Sequence, residues 1–557
     1  MLDRVKIIPL GGLDEHFKNL TIIEINDDIF VIQAGIKDAD KTKPGVDFVI
    51  ANFDYLKANK HKIRGYFLTH GFDSYSAGIA YIYPECPAPI YLTAMSKLFF
   101  SSFCVHNKID ISKFEFKVVE PTSTQIVANR KIELFSVCAN ISDSFGVSIS
   151  TDGGNIVFIT NFVIDTCYEK GFVTDLTKMG LIAKEGVFAL LCESVYSERP
   201  GFANPFYKLA NRIDRLIKDA PGRVFLAIDQ PNVYNFIAAI KIAKKYNRKI
   251  IPYDISTREI LMALGASGQL ILDRNDILPM DEINRERAKD IMVVMSGFGE
   301  KLFDKVSLLA LHQNDNQLLK LNENDLFILG AHTDFSSERA AIEALDNLYR
   351  SGAKVYSPNK KDYIRMHACE EDIKSILTYF RPKYFIPVLG TFKELLANAK
   401  LALTANVGLT HMSVFILDNG NVLEFNNGRA ILHPEKVANG DLYIDGKGVG
   451  DVASSVLLER QKFSDGVIIL AATVSKSERA IVGGPDVQTR GLVYVRESES
   501  LINEITNIFV INLKQCLAKP IFSSSEVENN VKEQVFRAVR RTTLKSPMII
   551  PIIVEID

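Results

Sequence analysis

Three apolar runs of this sequence end in side chains that could do chemistry. Arg64 to Thr69 stops at His70-Gly71-Phe72-Asp73-Ser74-Tyr75, Val157 to Thr160 stops at Asn161, and a third run closes as Leu191-Cys192-Glu193-Ser194. Strands that run into polar loops are where α/β folds place reactive groups. Imidazoles and carboxylates gathered there suit metal-assisted hydrolysis, in which cations activate a water and offset the charge on the scissile group. A catalytic metal takes at least three protein ligands, and around His70 the neighbours are Phe72, Ser74 and Tyr75. His70 is therefore read first as a polar residue hydrogen-bonded at a strand end. A hydrolytic reading needs Asp73 and Glu193 to join His70 around one ion.

The elements that must position these groups follow from the pattern. From Ile7 to Ile32, short β-branched runs alternate with the turns Gly11-Gly12 and Asn26-Asp27-Asp28, which predicts antiparallel strands. Near Asn204 the rhythm becomes strand, helix, strand: Val224 to Ile228, a helix to Lys245, then Lys249 to Tyr253. Ser256-Thr257-Arg258-Glu259 has the form of a capping box opening the next helix. A later helix beginning near Ser336-Ser337 places Ile342, Leu345 and Tyr349 on one face before Gly352 ends it. This block predicts a parallel-sheet α/β domain. A helix over Glu370 to Phe380 and a strand over Tyr384 to Val388 follow. The last hundred or so residues form an α+β unit reached through the Gly-rich stretch Asp445 to Gly450.

Composition narrows the function. The 557 residues require two to four packed units, and 47% hydrophobic with 24% charged residues is a globular balance. A formal charge of -2 supplies no global field for nucleic acid or anionic membrane, so RNA contact must use local patches. Candidates are Lys57 to Arg64, Lys241 to Lys249, Lys360 to Arg365 and Arg537 to Lys545, each of which reads more simply as a solvated face. The seven cysteines, at 86, 104, 138, 167, 192, 369 and 516, never form a CxxC and read as reduced thiols of a cytoplasmic protein. No stretch has the length of a signal peptide core or a membrane span.

The stretch Gly65 to Gly78 resembles the second motif, HxHxDH, of metallo-β-lactamase-fold nucleases, and the chain is most similar to the ribonuclease J family. Gly11-Gly12-Leu13 with Glu15 and Lys18-Asn19 is similar to the family's opening, GGLGEIGKN. Glu198-Arg199-Pro200-Gly201, Pro382 to Val388, Gly483-Gly484-Pro485-Asp486 with Arg490-Gly491, and Val493 to Ser498 follow in family order. Ser296-Gly297-Phe298-Gly299-Glu300 resembles its TGSQGEP loop. The resemblance implies an α/β fold: a metallo-β-lactamase αββα sandwich with an inserted β-CASP α/β domain and a small α+β C-terminal domain. The expected domains are residues 1–203 and 362–444 for the two parts of the sandwich, 204–361 for the insertion and 445–557 for the linker and C-terminal domain.

It also implies what is missing. The family's metal positions fall on Gln33, His70, Phe72, Ser74, Tyr75, Ala139, Asn161 and Leu389, of which only His70 keeps a ligand of the expected kind. Phenyl, methyl and isobutyl groups donate nothing to a cation, and an amide is a poor bridge between two dications. The two zinc or manganese ions used by the family are accordingly not expected here. His367 resembles the histidine beside the scissile phosphate, and Asn232 the asparagine near a terminal phosphate, although Pro231 and Cys369 replace neighbouring hydroxyls. The expected protein is a non-catalytic RNA-processing subunit. It is expected to assemble with an active paralogue or with itself, as dimer or tetramer through the C-terminal domain, and RNA is a possible ligand. The alternatives are a weak ribonuclease with a single-metal site and a stand-alone RNA-binding or scaffold protein.

Overall fold

The computed structural model describes residues 2–39, 43–164, 170–203, 209–230, 232–273, 275–314, 319–331, 333, 337–358, 366–446, 448–450, 454–491, 498–543 and 545–557. It is a mixed α/β protein with several sheets and divides into two compact units. The first comprises Met1–Lys37 and Ile50–Asp441; the second comprises Asp38–Val49, taken from the expected first domain, and Leu442–Asp557.

In the first unit, Val5–Gly11, Leu20–Ile25 and Asp28–Ile32 pair antiparallel, as their alternating pattern predicts. Ile63–Phe67, Ile90–Leu92 and Phe116–Val118 then add in parallel, and Leu423–Asn426 with Arg429–Leu432 completes an eight-stranded sheet. A six-stranded sheet runs Tyr384–Val388, Val187–Glu193, Asn155–Ile159, Phe145–Ile149, Arg130–Ser136, Thr124–Val127. One apolar core joins Ile23, Phe30, Ile32 and Phe67 of the first sheet to Leu134, Val147, Phe158 and Leu191 of the second, so the two pack face to face. Helices Leu176–Lys184, Glu370–Phe380 and Phe392–Thr404 contribute Met179, Ile373 and Ala402 to a core on the outer face of the six-stranded sheet.

A third sheet of this unit is parallel throughout, in the order Lys249–Pro252, Ile291–Gly297, Val224–Asp229, Leu326–Gly330, Lys354–Tyr356. Both faces are covered, which is why its strands are continuously apolar. Leu209–Asp219, Val233–Lys245 and Ile255–Ala266 pack on one face, Gly299–Ala310 and Glu338–Arg350 on the other. Two details differ from expectation. The helix expected to open at a Ser256 capping box starts at Ile255, capped by Asp254, whose carboxylate accepts from Thr257 N at 2.8 Å and Thr257 Oγ1 at 2.7 Å. In Glu338–Arg350 the buried face is Ala340, Ala341, Ala344 and Leu348, whereas Ile342 and Tyr349 point to solvent.

In the second unit, Ala480–Arg490, Val467–Ser475 and Met548–Ile556 form a three-stranded sheet. Ile468, Leu470, Ala472 and Val474 face the helices Ser498–Leu517 and Ser524–Thr543 through Leu501, Ile505, Phe509, Val531 and Val535. The described cysteines 86, 104, 138, 192, 369 and 516 are buried and unbridged. Cys167, Pro231, Ser336 and the run Val493 to Glu497 lie outside the described residues. No described helix is long and apolar enough to cross a membrane.

The basic clusters Lys57 to Arg64 and Lys241 to Lys249 have structural partners. Arg248 is buried and donates to the carbonyls of Gly222, Ile291, Ile217 and Ala220. Lys244 pairs with Asp276, Lys245 with Asp214, Lys62 with Asp27 and Arg64 with Asp28. The segment Lys360 to Arg365 lies outside the described residues.

Two acids near the amino terminus give the fold an acid limit. Glu424 accepts a two-pronged bond from Arg4, at 2.7 and 2.9 Å, and a bond from His433, which hold its carboxyl down at about 2. Asp3 is held at about 2 mainly by Arg130. A folded pKa below the unfolded one gives stability that is complete above the unfolded value and fades as pH falls through the folded value. Thermal unfolding scanned from pH 5 to pH 2 is expected to show a falling midpoint across that window. With Glu424→Gln the slope is expected to be shallower; an unchanged slope contradicts the assignment.

Candidate functional site

The strand ends of the first unit meet at a cleft of about 60 Å³ lined by Phe17, His70, Phe72, Ser74, Tyr75, Asn140, Ile141, Asn161, Asp229, Asn232, Phe298 and His367. Seven of the ten positions singled out in the sequence are therefore together: His70, Phe72, Ser74, Tyr75, Asn161, Asn232 and His367. Gln33 lies beneath them, bonded to the threonines that precede His70 and Asn161. Ala139 and Leu389 are buried in apolar cores and do not line the cleft.

His70 sits in a chain of hydrogen bonds whose directions are forced. Gln33 Nε2 donates to Thr69 Oγ1 at 2.8 Å and to Thr160 Oγ1 at 2.9 Å, tying together the ends of two strands that belong to different sheets. Thr69 Oγ1 is 2.7 Å from His70 Nδ1, and His70 Nε2 is 3.3 Å from the carbonyl oxygen of Asn161. A carbonyl only accepts, so Nε2 carries the ring proton; Nδ1 then accepts from the Thr69 hydroxyl. Burial pushes the imidazole down to about 3, outweighing the Asn161 bond, so His70 is neutral in ordinary buffers. Both nitrogens are engaged, leaving no lone pair facing a cation.

Glu193 has a different task from the one a hydrolytic reading gives it. Its carboxylate is fully buried; Oε1 accepts from Phe162 N at 3.0 Å and Ala368 N at 3.1 Å, and Oε2 lies 2.8 Å from His367 Nδ1. The acid fixes the His367 ring, which also meets Tyr196 edge-on, with Arg199 stacked on Tyr196. Asp73 does not line the cleft. Among the described residues, no three His, Cys, Asp or Glu side chains lie close enough to hold an ion, so the trio Asp73, Glu193 and His70 does not converge. This donor set does not fit a metal pair.

Asn232 caps the helix Val233–Lys245, accepting from Asn235 N at 3.1 Å, and Asn140 Oδ1 accepts from Met366 N. Two polar atoms of the cleft are buried with no partner among the described residues: Asn161 Oδ1 and Ser74 Oγ. Gln33, Asn161 and Leu389 all have φ between 51 and 63°. For Leu389, which gains nothing locally from it, that conformation is a strain the packing sustains.

Sequence reasoning missed Phe17, Phe298, Asn140, Ile141 and Asp229. Phe298 meets Phe17 at 5.7 Å and Phe72 at 5.5 Å between ring centroids, so aromatic rings from three distant segments share the cleft. Asp229 ends the strand Val224–Asp229, and the strand-end rule applied to His70 would have found it.

Fold and site thus define a multi-sheet α/β protein whose polar groups collect at strand ends. Residues 455–556 match the family model described as the Ribonuclease J C-terminal domain. Over 553 residues the chain is 31% identical to "Ribonuclease J 2" of Staphylococcus aureus strain MRSA252, spanning 99% of this chain and 98% of that protein. It is 30% identical over the same shares to "Ribonuclease J 2" of Staphylococcus epidermidis. The chain belongs to the ribonuclease J family. A crystal structure of a protein of unknown function from Enterococcus faecalis V583 is similar in fold, with a TM-score of 0.51 at 12% identity over 76% of this chain and all of that one.

Proposed function

We propose that this chain is a ribonuclease J-like protein of RNA processing and mRNA decay that acts in the cytoplasm as a non-catalytic subunit. It assembles with an active paralogue or with itself and contributes RNA affinity. In this reading the two face-to-face sheets of the first unit are a metallo-β-lactamase sandwich and the parallel sheet is an inserted β-CASP domain. The observation that carries the reading is the closed hydrogen-bond chain Gln33–Thr69–His70–Asn161, which uses up both ring nitrogens of the one histidine left at the expected metal positions. Assembly through the second unit is supported by its outer strand Met548–Ile556, where Ile552, Val554 and Ile556 are about half exposed.

The test joins two measurements on the purified full chain. Elemental analysis is expected to find far less than one equivalent of zinc or manganese. Assays on 5′-monophosphorylated RNA with either ion are expected to show background hydrolysis, identical in wild type and His70→Ala. Stoichiometric metal, or activity that His70→Ala abolishes, overturns the reading in favour of a weak single-metal ribonuclease.

A further inference from the structure

The cleft has kept its place while its chemistry has inverted. A pocket for a phosphoryl group needs cations or N–H donors pointing inward. Here no lysine or arginine is among the described lining residues, both ring nitrogens of His70 are bonded, His367 is held by Glu193, and Asp229 adds an acid. Of the cleft's described lining, two buried polar atoms have no partner: the Asn161 side-chain carbonyl oxygen, which only accepts, and the Ser74 hydroxyl; both residues are 4% exposed. An orphaned acceptor at such depth costs free energy unless a ligand supplies a proton to it. Of the other described lining residues, Phe17, Phe72, Tyr75 and Phe298 are aromatic, beside Asn140, Ile141, Asn232 and His367. Phe17, Phe72 and Phe298 are half-buried, each showing part of its ring to the cleft, and they come from three separate loops. Flat apolar rings beside an unpartnered amide oxygen and a carboxylate fit a planar group that brings N–H donors.

We propose that this cleft binds a single unstacked nucleobase carrying an exocyclic amino group, its ring against Phe298 and its neighbours and its amino hydrogen donated to Asn161 Oδ1. The proposal rests on the RNA-binding reading above and gives that reading a specific contact: recognition of a splayed base in place of the phosphate. No lysine or arginine lines the cleft among the described residues, so a nucleoside is expected to suffice as ligand, with an affinity insensitive to salt.

The experiment is calorimetric titration of the full chain with adenosine, cytidine and guanosine, and with uridine and inosine, which lack the amino group, at 50 and 500 mM salt. At least one amino-bearing nucleoside is expected to bind about tenfold or more tighter than uridine and inosine, equally at both salts. Phe298→Leu and Asn161→Gly are expected to weaken that binding about tenfold each. Glycine accepts the φ of 51° at position 161, so Asn161→Gly keeps the fold while deleting the acceptor. Thermal unfolding of the variants checks this; a variant whose midpoint falls by more than a few degrees is replaced by Phe72→Leu, with the same expectation. Uridine binding as tightly as the others, or no nucleoside binding at millimolar concentration, overturns the proposal. If a single-stranded RNA still binds in that last case, the RNA-binding reading survives; if RNA also fails to bind, that reading falls as well.

Discussion

Replacing Glu193 by alanine is expected to lower stability by about 3–5 kcal/mol, because it strips a fully buried charge from partners that stay buried. Three donors converge on this carboxylate: Phe162 N, Ala368 N and His367 Nδ1. They come from the loop after Asn155–Ile159 and from the turn that opens Glu370–Phe380, so one side chain at the end of Val187–Glu193 holds three segments in register. After truncation the two backbone N–H groups have no water to turn to, and each unmade bond costs about 1–3 kcal/mol. Glu193→Gln is expected to cost less. One amide oxygen still serves the N–H pair, and the imidazole can change tautomer to accept from the new NH₂. Urea unfolding followed by circular dichroism orders the three proteins: wild type, then the glutamine variant, then the alanine variant. An alanine variant within about 1 kcal/mol of wild type contradicts the assignment of Glu193 as the clamp on His367.

How much of this was legible beforehand depends on what each signal measures. The strands Val5–Gly11, Val224–Asp229 and Tyr384–Val388 announced themselves because β-branched runs bounded by turn residues have few other ways to fold. The helix Glu338–Arg350 is legible, but of the three large residues on one face only Leu345 packs on the core, while Ile342 and Tyr349 are exposed. Periodicity weighs residue size, and these outweigh three alanines. The neighbouring helix Gly299–Ala310 instead packs closely over Ala340, Ala341 and Ala344, where small side chains let two backbones approach. The position of the cleft was readable, since His70, Asn161, His367 and Asn232 each lie at an end of an element. Its chemistry was not. Gln33 reaches Thr160 across 127 residues, and the aromatic group joins positions 17, 72 and 298, so neither leaves a local pattern. In sequence Phe298 reads only as part of a glycine turn, and Glu193 gives no sign of which donors it meets.

Gly35→Ala is expected to be the most damaging single methyl in the molecule's first unit. A Cβ at Gly35 would sit 1.6 Å from the Ser74 carbonyl oxygen, 2.3 Å from its carbon and 3.0 Å from Asn19 N. These are main-chain atoms that no rotamer change can move. They are also bonded in place: Gly35 N donates to Asn19 O, Ala34 N to Tyr75 O, Ile36 N to Asp73 O, and Asn19 N to Ser74 O. The segment 34–36 and the short helix Asp73–Ser76 are thus laced together, and a methyl between them must break the lacing and displace Ser74 and Tyr75, which line the cleft. Each buried backbone bond lost costs about 1–3 kcal/mol, so a total above roughly 4 kcal/mol is expected, with loss of soluble protein at about 37 °C. Gly186→Ala is the control. Gly186 has φ +88° but nothing within 4 Å of an added Cβ, so that variant carries backbone strain without crowding and should cost about 1–2 kcal/mol. Differential scanning calorimetry on both separates the two effects, and a loss at Gly35 no larger than that at Gly186 would show that the contact with Ser74 is relieved locally and is not what requires glycine at position 35.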